Sequence, residues 1–167
     1  MTISMYQASV PVFTRALTAL RAILQKGAAH AEARKLDEKI LTGSRLFPDM
    51  FPLSRQVQIA TDQAKGGTAR LAGVEVPKYE DTETTFAELI ARIDKTLAFI
   101  KTVKPEQIDG SEQRQISLPT PVRTLEFKGQ DYLLFFVIPN LHFHCTTTYA
   151  LLRHNGVEVG KLDYLAL

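Results

Sequence analysis

Apolar residues recur at Tyr6, Val10, Phe13, Leu17, Leu20 and Leu24, in steps of four and three that trace one face of an α-helix. The spacing predicts a first long helix, with Thr2 or Ser4 as its cap. Pro11 falls in or near its first turns, and Gly27 lies where a left-handed residue would end it. Residues 31–42 carry Leu36, Ile40 and Leu41 among charged neighbours and predict a shorter helical piece. In Arg45-Leu46-Phe47-Pro48-Asp49-Met50-Phe51-Pro52-Leu53 each proline restricts the residue before it, so this run reads as a non-helical entry to the second long helix. That helix spans about Pro52 to Ala72. Its inner positions Val57, Ala60, Ala64 and Leu71 are mostly small, which either lets a neighbour approach closely or leaves room for a pocket; Gly66-Gly67 weakens it by about 1 kcal/mol per glycine.

Asp81 or Thr85 can cap a third long helix, and Thr85 with Glu88 has the capping-box spacing. Phe86, Leu89, Ile90, Ile93, Leu97 and Ile100 form its stripe, which stops at Lys104-Pro105. Gln115–Leu118 and Val122–Phe127 alternate on either side of a Pro-Thr-Pro turn and predict a small hairpin. A fourth long helix runs from near Gly129 to His154, with Val137, Leu141, Thr148, Leu151 and Leu152 inward. Pro139 removes a backbone donor and predicts a kink or break between Phe135 and Pro139. Four amphipathic segments around one core predict an all-α bundle with the hairpin as an accessory, in one domain over residues 1–167.

Composition changes this picture little. The chain of 167 residues is 45% hydrophobic and 23% charged, ordinary for a folded domain. Twenty Lys+Arg against eighteen Asp+Glu leave +2 without a basic block, which argues against nucleic acid as a partner. The lone Cys145 makes no internal disulfide, and no apolar run approaches the ~18 residues of a membrane span. The expectation is a soluble cytoplasmic protein with no membrane partner.

Candidate chemistry centres on His144, which the helical angle places beside Leu141, Thr148 and Leu151 on the inward face. A bundle interior is where facing helices build metal sites, and a lone inward histidine equally suits a packed, hydrogen-bonded position. Asp62 is the one carboxylate in Ala60-Thr61-Asp62-Gln63-Ala64-Lys65; it can meet His144 across the bundle as an acid/base pair, or stay solvated near Lys65. His142 lies on a different face from His144, so His-Phe-His is not a helical metal motif. Tyr149 shares a stripe with His142 and Cys145 and presents its hydroxyl to a pocket or packs. Cys145 reads as a core thiol, and His30, in an alanine-rich connection, as surface. Phe47, Met50 and Phe51 suit a cover for the bundle end or a subunit contact.

The Arg45–Leu53 run, Ala64-Lys65 with Ala69-Arg70-Leu71-Ala72-Gly73, and above all Phe143-His144 followed by Tyr149–Val157 and Gly160-Lys161, resemble a domain-of-unknown-function family of bacteria and fungi. That family is placed in the DinB/YfiT-like superfamily. The resemblance spans essentially the whole chain and implies a DinB-like four-helix bundle, often dimeric. Superfamily relatives look like metalloproteins with one histidine on the second helix and two spaced four apart on the last, and some are thiol S-transferases. Here Pro52–Ala72 has no histidine and the residue four after His144 is Thr148, so only His144 carries over. One imidazole, even with Asp62, is short of three protein ligands. The reading is therefore a homodimeric small-ligand or interaction module without the metal site and with no cofactor. Its pocket candidates are His144, Asp62, Thr148, Tyr149 and His142. The alternative is a metal-dependent or acid/base enzyme rebuilt around His144, with a thiol S-transferase-like activity and a divalent metal.

Overall fold

The apolar stripes become helices in the computed structural model, which describes residues 3–120 and 122–167. Thr2, named above as a cap, and Pro121, in the Pro-Thr-Pro turn, lie outside those residues. Helix α1 spans Val10–Ala33, with Pro11 in its first turn, where a missing N–H costs no helical bond. Ser4 is not its cap: Ser4 exchanges hydrogen bonds with Gln7 in the turn that leads into the helix. Gly27 does not end α1 either. It is buried in mid-helix, where a Cβ would press on the Phe86 ring at 3.0 Å, and the reversal falls instead at Lys35, with φ of 54°. His30 consequently sits half-buried in the last turn of α1, not in a connection.

Residues 31–33 belong to α1, and the expected second piece shrinks to α2, Glu38–Thr42, where Leu41 is buried while Leu36 and Ile40 face solvent. Helix α3 spans Leu53–Ala72 and closes on Gly73 in the left-handed conformation. Helix α4, Phe86–Ile100, starts at Thr85 with the predicted capping box, in which Thr85 Oγ1 accepts from the Glu88 amide and Glu88 accepts from the Thr85 amide. Asp81 does not cap; it pairs with Arg92 and Arg55. After the short α5, Pro105–Ile108, strands β1, Gln115–Pro119, and β2, Thr124–Lys128, form the antiparallel hairpin with Ile116 opposite Phe127.

The last long segment starts with one turn, α6, Gly129–Asp131, and passes through a π-helical stretch, Tyr132–Val137, into α7, Ile138–His154. Pro139 cannot donate to Phe135, and the chain answers by widening before the proline: the Ile138 amide donates to Leu133, five residues back. Asn140 Nδ2 donates to the Phe136 carbonyl at 2.6 Å. The segment continues as helix where sequence reasoning left a break open. Phe127 of the hairpin docks on Tyr132 and Phe136 with ring centroids 5.7 and 5.4 Å away. A five-residue helix, α8, Lys161–Leu165, closes the chain with no buried side chain of its own.

The four long elements neighbour one another in a ring, α1 on α4, α4 on α3, α3 on α7 and α7 on α1, around a core that includes Phe13, Leu17, Leu24, Leu53, Phe86, Leu89 and Leu141. The small residues of α3 serve close approach. At Gly67 a Cβ would lie 2.7 Å from Val137 of the π-helical stretch and 3.4 Å from Phe13, so neither could keep its position against a larger side chain.

Candidate functional site

The two faces of α7 hold different chemistry. Towards α3, His144 is 8% exposed and its Nδ1 lies 2.6 Å from Gln56 Oε1. Gln56 Nε2 donates to the Phe51 carbonyl at 3.0 Å, which turns its Oε1 towards His144 and makes Nδ1 the protonated nitrogen. Phe143 stands edge-on to the imidazole at 5.2 Å. Burial, then the nearby Arg55 cation, lowers the His144 pKa to about 4, so the ring is neutral at pH 7. Thr148, one turn on, donates to the His144 carbonyl at 2.9 Å.

This pKa has a measurable consequence. A histidine of folded pKa about 4 and unfolded pKa 6.5 contributes stability in full above pH 6.5 and loses it as pH falls towards 4, because the unfolded chain takes the proton more readily. The protein is expected to be about 2 kcal/mol less stable at pH 5 than at pH 7.5 in urea melts, and His144→Asn is expected to flatten most of that slope. A slope unchanged in the variant would assign the loss to other groups.

Asp62 does not meet His144. It bonds Arg92 Nη2 at 3.0 Å and Lys65 Nζ at 2.8 Å, and Arg92, with its side chain 1% exposed, also reaches Asp81 at 3.0 Å and Glu83 at 3.1 Å. Sequence reasoning missed Arg92 because a charged residue was not counted with the stripe, yet Leu89, Arg92, Ile93 and Thr96 share one face by spacing and all four are buried. Tyr79 lies under this network, with Lys65 and Lys95 ammoniums 3.9 and 4.2 Å from its ring centre. The cluster pins the irregular segment 74–84 to α3 and α4. Of the two alternatives for Asp62, the pair with His144 is not formed and the position near Lys65 is the one observed; α3 makes two separate contacts, Gln56 with histidine and Asp62 with lysine and arginine.

On the opposite side of α7 a cavity of about 160 Å³ opens between α1, α7 and α8. Val12, Arg15, Ala16, Leu20 and Ile23 line it from α1, His142 and Cys145 from α7, and Tyr164 and Leu165 from α8. Thr146 Oγ1 donates to Tyr164 Oη at 3.0 Å, and Tyr164 Oη is hydrogen-bonded to His142 Nδ1 at 3.0 Å. Burial lowers the His142 pKa, and burial pushes the Cys145 thiol up to about 12, so both are neutral and the thiol is no nucleophile at pH 7. Tyr149 packs edge-on against Tyr164 at 6.1 Å. Of the five predicted pocket residues only His142 lines the cavity; Tyr164, Arg15 and the α1 wall were not foreseen. The Tyr6 to Leu24 periodicity marks Leu20 for burial without saying that a void lies beside it.

The residues around His144 do not fit the three-histidine metal arrangement. Helix α3 offers His144 the Gln56 amide oxygen, which faces a protonated Nδ1, and the residue four after His144, Thr148, spends its hydroxyl on a carbonyl. Among the described residues no three His, Cys, Asp or Glu side chains are grouped to hold an ion, and no helix is long and apolar enough to cross a membrane.

The family described as Domain of unknown function (DUF1993) matches residues 5–165. Among solved structures, the chain is similar to the crystal structure of a DinB family member protein from Shewanella denitrificans, 44% identical, with a TM-score of 0.86; 96% of this chain and 90% of that chain are covered. No curated protein matches the chain significantly.

Proposed function

The chain belongs to the DUF1993 family, within the DinB-like superfamily, and from that premise we propose that it is a small-molecule-binding module whose site is the cavity between α1, α7 and α8. The observation that carries this reading is the cavity itself: at about 160 Å³, walled by aliphatic side chains, it has the size of an apolar void known to take benzene. A polar relay, Thr146 to Tyr164 to His142, supplies the few oriented groups that such sites use to fix a ligand. An acid/base enzyme built on His144 has less support, because its carboxylate partner is engaged by Arg92 and its Nδ1 by an amide.

Toluene is the first probe. At about 100 times its Kd it is expected to stabilise the protein by about 2.7 kcal/mol, read as a rise in Tm of roughly 5–10 °C. Cys145→Phe, which places a ring in the same space, is expected to fold and to abolish the shift. No toluene shift, or an equal shift in the filled variant, would sink the cavity reading.

In this proposal the module works as a homodimer, which its family resemblance implies. The individually exposed rings of Phe47, Phe51, Phe135 and Phe143, 62%, 54%, 74% and 55% exposed, support it, since aromatic side chains are enriched in subunit contacts. Light scattering is expected to give twice the mass of one chain. A single-chain mass across micromolar concentrations would overturn the dimer.

A further inference from the structure

Arg15 lies on α1 between Val12 and Ala16 and lines the cavity with them. Its Nε and Nη2 donate to one neutral acceptor, the Leu165 carbonyl, at 3.1 and 3.0 Å. Among the described residues no carboxylate forms an ion pair with it, whereas on the same helix Arg21 is paired with Asp94 at 2.7 Å and Lys26 with Asp163 at 2.6 Å. A permanent, solvent-exposed cation thus lines an apolar cavity bounded on one side by α8, with no counter-charge paired to it among the described residues. The other polar side chains on the wall, His142 and Tyr164, are neutral and bonded to each other.

We infer that the ligand of this cavity is a small carboxylate, its compact apolar body filling the space along α1 and its carboxylate held by the Arg15 guanidinium. The inference rests on the cavity reading above and adds the chemical class. A planar two-oxygen anion matches the edge of a guanidinium, and that pairing is stronger than a bond between neutral groups. A single positive charge balances a single negative one. A phosphate dianion would bring excess charge against aliphatic walls, which is costly. The volume limits the body to about the size of one benzene ring, which excludes long-chain acids.

Benzoate and its neutral isostere benzamide separate the two claims, with calorimetric titration of the full chain as the readout. Wild-type protein is expected to bind benzoate at least about tenfold more tightly than benzamide. In Arg15→Gln the ratio should fall to about one, mainly through loss of benzoate affinity, and Arg15→Lys, which keeps the charge but not the fork, should fall between. Equal binding of the two probes by wild type, or a preference that persists in Arg15→Gln, would overturn the carboxylate while leaving the cavity reading intact so long as toluene binds. If toluene and benzamide both fail to bind, the cavity reading falls and this inference falls with it.

Discussion

Replacing Arg92 with methionine is expected to lower the unfolding free energy by about 3–4 kcal/mol. The guanidinium is buried and satisfies acceptors from two parts of the chain, Thr61 Oγ1 at 2.8 Å and the Asp62 carboxylate on α3, and the Glu80 carbonyl at 2.9 Å with the carboxylates of Asp81 and Glu83 in the segment after it. Removing it leaves three anions facing one another with no common cation. The side chains of Asp62 and Asp81 retain 36% and 38% exposure and regain water, which holds the loss to the lower part of the range for a broken buried pair; Glu83, at 15%, does so less readily. The segment 74–84 loses its main anchor, so its amides should exchange faster with solvent than those of α3. Urea unfolding of Arg92→Met beside Arg92→Lys checks the account: lysine keeps the charge but not the fork, and should recover only part of the loss. A methionine variant as stable as wild type would mean that the network merely decorates the fold.

The second large effect is expected at Gly129. Judged as a helix residue it should gain up to about 1 kcal/mol on conversion to alanine. The tertiary structure reverses that sign. A Cβ at this position would run into the Ser111 carbonyl oxygen, with the Ser111 carbonyl carbon at 3.1 Å, and these are backbone atoms that cannot rotate away. The Gln130 amide is tied to the Glu112 carbonyl at 3.0 Å, so the two strands of chain cannot part without losing that bond. Gly129→Ala is expected to cost about 3 kcal/mol, the top of the usual range for overpacking. Gly110→Ala is the comparison, since its added carbon meets nothing within 4 Å and only its φ of +84° resists the change. A stabilised Gly129→Ala would show that the loop at residues 111–112 yields freely.

The chain's own periodicity determined the elements. Steps of three and four placed the stripes of α1, α3, α4 and α7, the Thr85 and Glu88 pair marked the start of α4, alternation marked the hairpin, and Pro139 marked the irregularity that became a π-helical stretch. These are local properties, since each depends on residues within a few positions of one another. The family resemblance supplied the bundle type, and the matching family and solved structure agree with it.

What periodicity could not determine was which side chains meet across helices, because a few tens of degrees of helix rotation exchange one partner for another. His144 faces Gln56 in place of Asp62, Arg92 gathers carboxylates from distant positions, and the cavity is lined jointly by residues of α1, α7 and α8 that are far apart in the chain. Gly27 shows the same limit from the other side. Its sequence context suits a helix end, but the Phe86 and Leu152 side chains packed against it favour continuing the helix, and the turn moves to Lys35. Local stereochemistry is written along the chain; a cavity, the arginine that lines it and a shared counter-ion are relations between surfaces, and only their packing decides them.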